Sequence, residues 1–307
     1  MPLRFTLRQL EYLVAVGEAG SIAVAAERVN VSSPSISTAI AQLEQEFGLQ
    51  LFVRRHAQGL SLTEAGRRMV VEARAALQAA ARLNDLANEV TGSVRGPLTV
   101  GCIQTVAQML LPALRRSFTE AYPEVEFRQS EGNQATLFEG LRSGTLDAAL
   151  TYEIDVPTDL RFQPLVGLPP HALLPVDHPL ADHTRLTPAE LAPFPMVLLD
   201  LPLSSDYFLS VFTDRGLKPR IVERTRDMGL MRAMVANGFG YSVANIRLRS
   251  DVAPDGKPLR LVPLHDPDKP LPALRFGLVT SEGAEGVRRL RAFVERCQSD
   301  VPTILGS

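Results

Sequence analysis

Only two residues separate the second and third helices that the N-terminal sequence predicts. "IAVAAERV" follows Ser21, a natural N-cap, and ends at Asn30, a residue tolerated in the left-handed turn conformation. Val31 and Ser32 intervene before "SPSISTAIAQLEQEF", where Ser33 is the expected cap and Pro34 sits where a missing N–H costs nothing. So short a connection forces the two helices to cross closely, which is the geometry of a helix-turn-helix unit. Ile36, Ile40, Leu43 and Phe47 fall at spacings of four, three and four and share the core face, leaving Ser35, Thr38, Gln42 and Gln45 on the other side. Upstream, "LRQLEYLVAVGEAG" places Leu7, Leu10, Leu13, Val14 and Gly17 on one face and stops at Gly20; Gly48 ends the third helix.

Two short strands follow in "LQLFVRRHAQGLSLT", turning at Gln58-Gly59 with Arg54, Arg55 and His56 near the tip. Thr63 caps a helix from about residue 64 to 90, roughly 40 Å long at about 1.5 Å per residue. Its stripe of Met69, Val70, Ala73, Leu77, Ala80, Leu83 and Ala87 has no obvious cover in so small a domain, so pairing with a second copy is expected. "TGSVRGP" reads as a linker. From Leu98 the pattern becomes strand "LTVGCI", helix "VAQMLLPALRRSFTEAYP", strand "VEFRQSEG", helix "ATLFEGLRSG" and strand "LDAALTY", a βαβαβ run that implies a mainly parallel sheet covered on both faces. After Pro169-Pro170 a second unit starts, with strands "HALLPV", "FPMVLL", "RIVERT" and "GYSVAN" among helices "TPAELA", "SSDYFLSVFTDRG" and "GLMRAMVANG". "ALRFGLVTS" and "EGVRRLRAFVERC" close the chain as a strand and a helix.

At 307 residues two or more domains are expected, and the net charge of −2 gives no global sign of a nucleic-acid or membrane partner. Arg4 and Arg8 ahead of "LEYLVAVGEAGS" weakly imitate a signal peptide, but Glu11 and Glu18 interrupt it and no apolar run would span a bilayer, so a soluble cytoplasmic chain is expected. Cys102 and Cys297 have neither metal nor redox spacing and read as buried thiols. "HALLPVDHPLADH" gathers His171, Asp177, His178, Asp182 and His183, yet holds no H-E-x-x-H, and its prolines break any common ligand face. A G-x-S-x-G nucleophile elbow and a phosphate-binding G-x-x-x-x-G-K-S/T are both missing, which argues against an enzyme.

"GSIAVAAERVNVSSPSISTAIAQLEQEFGLQLFVRR" and "LSLTEAG", with "LTVG", "YPEVEF", "LRSGTLDAAL", "DHPLA" and "VANGFGYSVAN", resemble the LysR-type transcriptional regulators over essentially the whole chain. The resemblance implies a winged helix-turn-helix domain at 1–62, a linker and dimerisation helix at 63–91, and an effector-binding domain at 92–307. That last domain would have the α/β fold of periplasmic-binding-protein type. Lobe 1 would span about 97–167 and 271–298 and lobe 2 about 168–270, with crossovers near 167–170 and 267–272. Implied partners are double-stranded promoter DNA, a small-molecule effector and further copies of the chain, a homodimer through the linker helix and a homotetramer beyond it. No cofactor, metal or membrane is implied.

By the same likeness Ser33, Pro34, Ser35, Thr38 and Gln42 would meet the DNA groove. Relatives often carry Gln where this chain has Ser33, and Arg or Lys where it has Thr38 and Ala41, so this helix is unusually neutral. Residues 1–62 hold five arginines (Arg4, Arg8, Arg28, Arg54, Arg55) and five glutamates (Glu11, Glu18, Glu27, Glu44, Glu46). Phosphate grip must then come from placement, with Arg28, Arg54 and Arg55 as candidates. For the effector, the carboxyl ends of strands and the helix starts beyond them select Gln104, Thr105, Asn133, Gln134, Ser204, Ser205, Tyr207, Arg226, Ser242 and Asn245. Such hydroxyls and amides suit a small polar or anionic ligand. A thiol or peroxide sensor of the same fold is the alternative, with a solute-binding protein or enzyme behind it.

Overall fold

A computed structural model describes residues 3–55, 59–202, 204–271 and 273–306, without the side chains of Arg54, Arg55, Ser204 and Glu285. The chain divides into two compact units, Met1–Ser93 and Val94–Ser307. In the first, Thr6 and Gln9 form a reciprocal capping box at the start of α1 (Leu7–Ala19), which ends on left-handed Gly20. Ser21 caps α2 (Ile22–Arg28), and Asn30 takes a positive φ of 54° in the turn. In α3 (Ser33–Phe47) the cap is Ser32 rather than Ser33, and Ser32 Oγ accepts from Ser35 N–H at 3.3 Å. The expected cap is therefore one residue late: Ser33 already belongs to the helix, and Pro34 stands at its second position.

Ile36, Ala39, Ile40 and Leu43 of α3 pack against Leu10, Leu13 and Val16 of α1 and Ala25 and Ala26 of α2. A short antiparallel hairpin, β1 (Phe52–Arg55) and β2 (Gly59–Leu62), leads into α4 (Glu64–Thr91), capped by Thr63 and ended by left-handed Gly92. The expected turn at Gln58-Gly59, with His56 at its tip, lies outside the described residues. The apolar stripe of α4 divides in two. Val70 and Ala73 join the core of their own unit, with Met69 and Leu77 packed beside them, which the sequence reading did not anticipate. Leu83, Leu86 and Val90 are largely exposed, Val90 at 82%.

The second unit is built as two lobes. Lobe 1 carries β3 (Gly96–Ile103), α5 (Gln104–Ala121), β4 (Val125–Gly132), α6 (Gln134–Arg142), β5 (Ala148–Tyr152) and β6 (Leu160–Leu168). Lobe 2 carries β7 (His171–Pro175), α7 (Pro188–Leu191), β8 (Pro195–Leu199), α8 (Ser204–Thr213), β9 (Arg220–Thr225), α9 (Met228–Ala236), β10 (Ser242–Ala244) and β11 (Leu259–Pro263). Then β12 (Leu274–Ser281) and α10 (Arg288–Leu305) return to the first lobe. Its sheet runs β4-β3-β5-β12-β6, parallel across the first three strands and antiparallel at β12. Lobe 2 pairs β10-β7-β11 antiparallel and β8-β9 parallel, so the unit is mixed rather than mainly parallel. Phe118, Phe127 and Phe293 centre the lobe 1 core; Phe212 and Tyr241 anchor that of lobe 2. Among the described residues no helix is long and apolar enough to cross a membrane.

Two strands escape the sequence pattern, and the reason is local. In β6, Pro164 interrupts the alternation; it stands opposite Gly277 where the register with β12 shifts, at a bulge on an edge strand that tolerates a missing donor. β11 is five residues long and ends in Pro263.

Gly66, in the first turn of α4, has a packing reason to lack a side chain, since a Cβ there would run into the carbonyl of Leu51 and crowd Leu62. Gly66→Ala should therefore lower the stability of the N-terminal unit by about 2 kcal/mol. Denaturant unfolding followed by helix signal measures it, and an unchanged midpoint contradicts the packing.

Candidate functional site

The N-terminal unit presents one polar helix face. Pro34, Ser35, Thr38 and Gln42 are exposed on α3, and Ser33 is half-buried. The Oγ atoms of Ser32 and Ser35 lie 2.7 Å apart, while Ser37 Oγ donates to the carbonyl of Ser33 at 3.0 Å. Gln42 Oε1 accepts from Gln9 Nε2 at 2.8 Å, bracing the outer end of the face on α1. Arg28 is exposed but paired: its Nη1 lies 3.1 Å from Glu18 Oε2, and the other oxygen of Glu18 takes Arg74 Nη2 at 2.8 Å. An exposed pair of this kind contributes under about 1 kcal/mol, so a phosphate could displace it. Arg54 and Arg55 lie on β1, paired across to Leu60 and Gly59.

A cleft of about 630 Å³ opens between the two lobes of the C-terminal unit. β3 runs straight into α5 there, and Ile103 at the cap position supplies no side-chain hydrogen bond. The first-turn N–H groups of α5 are thus without a side-chain cap, a site that favours an anion. Gln104 and Thr105 begin that helix. Across the gap stands Arg226, just before α9, whose own N-terminus is satisfied by Asp227 Oδ1 accepting from Leu230 N–H at 2.6 Å. Gln104 Nε2 donates to the Arg226 carbonyl at 3.5 Å, a direct tie between lobes.

Three sequence-selected residues, Gln104, Thr105 and Arg226, therefore share this cleft. The reading by strand ends missed Gln108, Gln129, Glu131 and Arg232, which also line it. Periodicity could have found the first three: Gln108 is one helical turn beyond Gln104, and Gln129 and Glu131 alternate on one face of β4. Arg232 is buried at 3%, with its Nη2 donating to the carbonyls of Ser250 and Val252.

The other sequence-selected residues lie elsewhere. Asn133 caps α6, taking Thr136 N–H at 3.0 Å, and lines a neighbouring groove with Gln104. Gln134 is fully buried and donates to the carbonyls of Tyr152 and Ile154 at 2.9 and 2.6 Å. Asn245 Nδ2 donates to the Leu168 carbonyl at 2.7 Å and to Tyr207 Oη at 3.2 Å, fastening the chain crossing between the lobes. Ser205 is half-buried on α8, Ser242 is fully buried in β10, and Ser204 begins α8.

Both cysteines are buried in the lobe 1 core, Cys102 on β3 and Cys297 on α10, and burial pushes both thiols well above their usual range. That is the reverse of the exposed, low-pKa environment of a reactive thiolate. The histidines noted in the sequence do not converge. His171 is buried in β7, His178 Nδ1 accepts from Leu180 N–H at 3.1 Å, and His183 faces Glu190.

Comparison with known proteins follows the same division. The LysR substrate binding domain matches residues 91–302, and the bacterial regulatory helix-turn-helix protein, lysR family, matches residues 7–67. The transcriptional activator protein LysR of Escherichia coli (strain K12) is 30% identical over 255 residues, covering 83% of this chain and 82% of the relative. A hydrogen peroxide-inducible genes activator of Dickeya chrysanthemi is 30% identical over 238 residues, 77% of this chain and 78% of its own. The crystal structure of HinK, a LysR family transcriptional regulator from Pseudomonas aeruginosa, superposes with a TM-score of 0.65 at 36% identity, over 97% of this chain and 99% of that one.

His171 makes the lobe 2 fold sensitive to acid. Burial and the nearby Arg247 and Arg232 pull its pKa down from 6.5 to about 4. Since the unfolded chain takes up the proton first, its stabilising contribution is complete above pH 6.5 and is lost as the pH falls towards 4. Between pH 7 and 5 the chain should lose about 2 kcal/mol more than His171→Gln does. Urea unfolding at the two pH values measures the difference, and equal losses contradict it.

Proposed function

Since this chain belongs to the lysR family of bacterial regulatory helix-turn-helix proteins, we propose that it is a regulator switched by a small polar or anionic effector held between the lobes of its C-terminal unit. It is a DNA-binding transcriptional regulator rather than an enzyme, as its relatives are. The observation that carries the effector reading is the side-chain-uncapped start of α5 in the interlobe cleft, facing Arg226. An effector carboxylate or phosphate would take the α5 N–H groups and Arg226, while Glu131 and the glutamines would select its donors. Ligand that binds the closed lobes more tightly than the open ones shifts the equilibrium by that difference and no more.

At the N-terminal unit we assign promoter DNA to the exposed face of α3, with Ser33, Pro34, Ser35, Thr38 and Gln42 in the major groove and Arg28, Arg54 and Arg55 on phosphates. Hydroxyls and one amide read bases less sharply than a bidentate arginine does. Attachment through several copies offsets that weakness. The exposed Leu83, Leu86 and Val90 support a homodimer through α4, and a homotetramer in the cytoplasm completes the proposal. A peroxide-sensing mode, suggested by the Dickeya chrysanthemi relative, lacks support in two buried thiols of raised pKa.

A thermal-shift screen of organic acids and aromatic metabolites tests the effector assignment. A true effector should raise the melting temperature, and Arg226→Ala should weaken its binding at least tenfold without altering the unliganded melt. Equal affinity in the variant would remove Arg226 from the site.

A further inference from the structure

We infer that Gln9, on the first helix, determines which base edges Gln42 can read, restricting it to edges that offer only acceptors. This rests on the assignment of α3 to the DNA groove. The polarity starts from a group that can only donate. Thr6 N–H donates to Gln9 Oε1 at 2.8 Å, and Thr6 Oγ1 lies 3.2 Å from the same oxygen. The carbonyl side of the Gln9 amide is thereby assigned to Thr6, and its Nε2 is left to donate to Gln42 Oε1 at 2.8 Å. One backbone N–H thus orients two amides in series. Gln42 commits its oxygen to α1 and keeps its NH₂ for the exposed face that it shares with Thr38, one turn earlier, and Ser35, two turns earlier.

A free glutamine pairs with adenine by using both ends of its amide, donating to N7 and accepting from the N6 amino group. That oxygen keeps a second lone pair, but the bond from Gln9 holds it towards α1 and off the line that the second half of that pair requires. Guanine presents two acceptors, O6 and N7, and satisfies an NH₂ donor; the amino groups of adenine and cytosine meet it donor against donor. A mismatch inside a contact that excludes water leaves a polar group without a partner, so the exclusion carries real weight. Gln9 itself need not touch DNA. It is a positioning residue, and the capping box of α1, which serves helix stability by itself, doubles as the start of the relay.

Gln9→Glu isolates the effect. One carboxylate oxygen still takes Thr6 N–H, preserving the cap, while the other replaces the donor to Gln42 with an acceptor. The Gln42 amide then turns over, and its oxygen faces outward. The added negative charge weakens binding to all sequences alike, whereas the reversed amide alters preference at one position. The full-length chain, Gln9→Glu, Gln9→Met and Gln42→Ala would each be selected against a randomised duplex library and the bound DNA sequenced.

The unmodified chain should favour guanine over adenine about tenfold at one symmetric position of each half-site. Gln42→Ala should flatten that position alone. Gln9→Glu should move the ratio about tenfold towards adenine, and Gln9→Met, which keeps the volume but frees both ends of the Gln42 amide, should also move it towards adenine. A melting curve for each variant separates a changed preference from a failed fold, and Gln9→Met carries the test if the glutamate variant binds too weakly. If Gln42→Ala flattens the position but both Gln9 variants keep the guanine preference, the relay is overturned while α3 remains the recognition helix. An unmodified preference for adenine there overturns the relay as well. If Gln42→Ala changes no position, the assignment of Gln42 to the groove fails, and the inference with it.

Discussion

The backbone of Leu51, fully buried, is where the N-terminal unit is tied together. Its N–H and that of Phe52 both donate to the Glu44 carboxylate on α3, at 2.7 and 3.2 Å. Its carbonyl accepts from Thr63 N–H at 3.0 Å, and the Thr63 hydroxyl donates beside it to Gln50 at 2.7 Å while capping α4 through Gly66 N–H. Four elements thus converge on one residue: α3, the start of β1, the end of the hairpin and the first turn of α4. Gly66 fits only because it has no side chain to push that carbonyl away. The consequence is functional. With Glu44 and the buried Ile36, Ile40 and Leu43 holding α3 from inside, its outer face is free to carry residues chosen for a partner rather than for the fold.

A comparable division holds in the C-terminal unit. Gln134 and Asn245 spend their amide NH₂ groups on backbone carbonyls, Gln134 within lobe 1 and Asn245 at the chain crossing. The start of α5 is left without a side-chain cap and faces open space. One helix end uncapped and the opposing one capped by Asp227 make the cleft asymmetric, so an anion has a preferred side. The weak Gln104 to Arg226 contact, at 3.5 Å, is the kind of tie that a ligand can replace.

The helices of the N-terminal unit were legible because short-range rules govern them: Ser21, Thr63, Gly20, Gly48 and Asn30 all perform the capping or turn roles that their chemistry suggests. The cap of α3 was displaced by one because two serines precede Pro34, and only the hydrogen bond to Ser35 N–H distinguishes them. β6 was illegible because its identity depends on pairing with β12, more than a hundred residues later, and on a bulge in β6 itself at Pro164. Among the effector candidates, position after a strand found Gln104, Thr105 and Arg226 in one cleft. It had no means of separating a glutamine that lines the cleft from Gln134, whose NH₂ is consumed by carbonyls, nor of finding Arg232, whose place in the cleft depends on burial in tertiary structure.

The division of α3 into a face that folds and a face that reads is most directly tested by Ser35→Asp with Thr38→Asp. Both positions are exposed, and at Ser35, in the first turn of α3, an acidic residue is favourable, so the melting curve should change little. Binding to duplex DNA, measured by gel shift alongside that melt, should weaken at least tenfold through repulsion from phosphate. Undiminished binding by a variant that melts like the parent would contradict the assignment of DNA to this face.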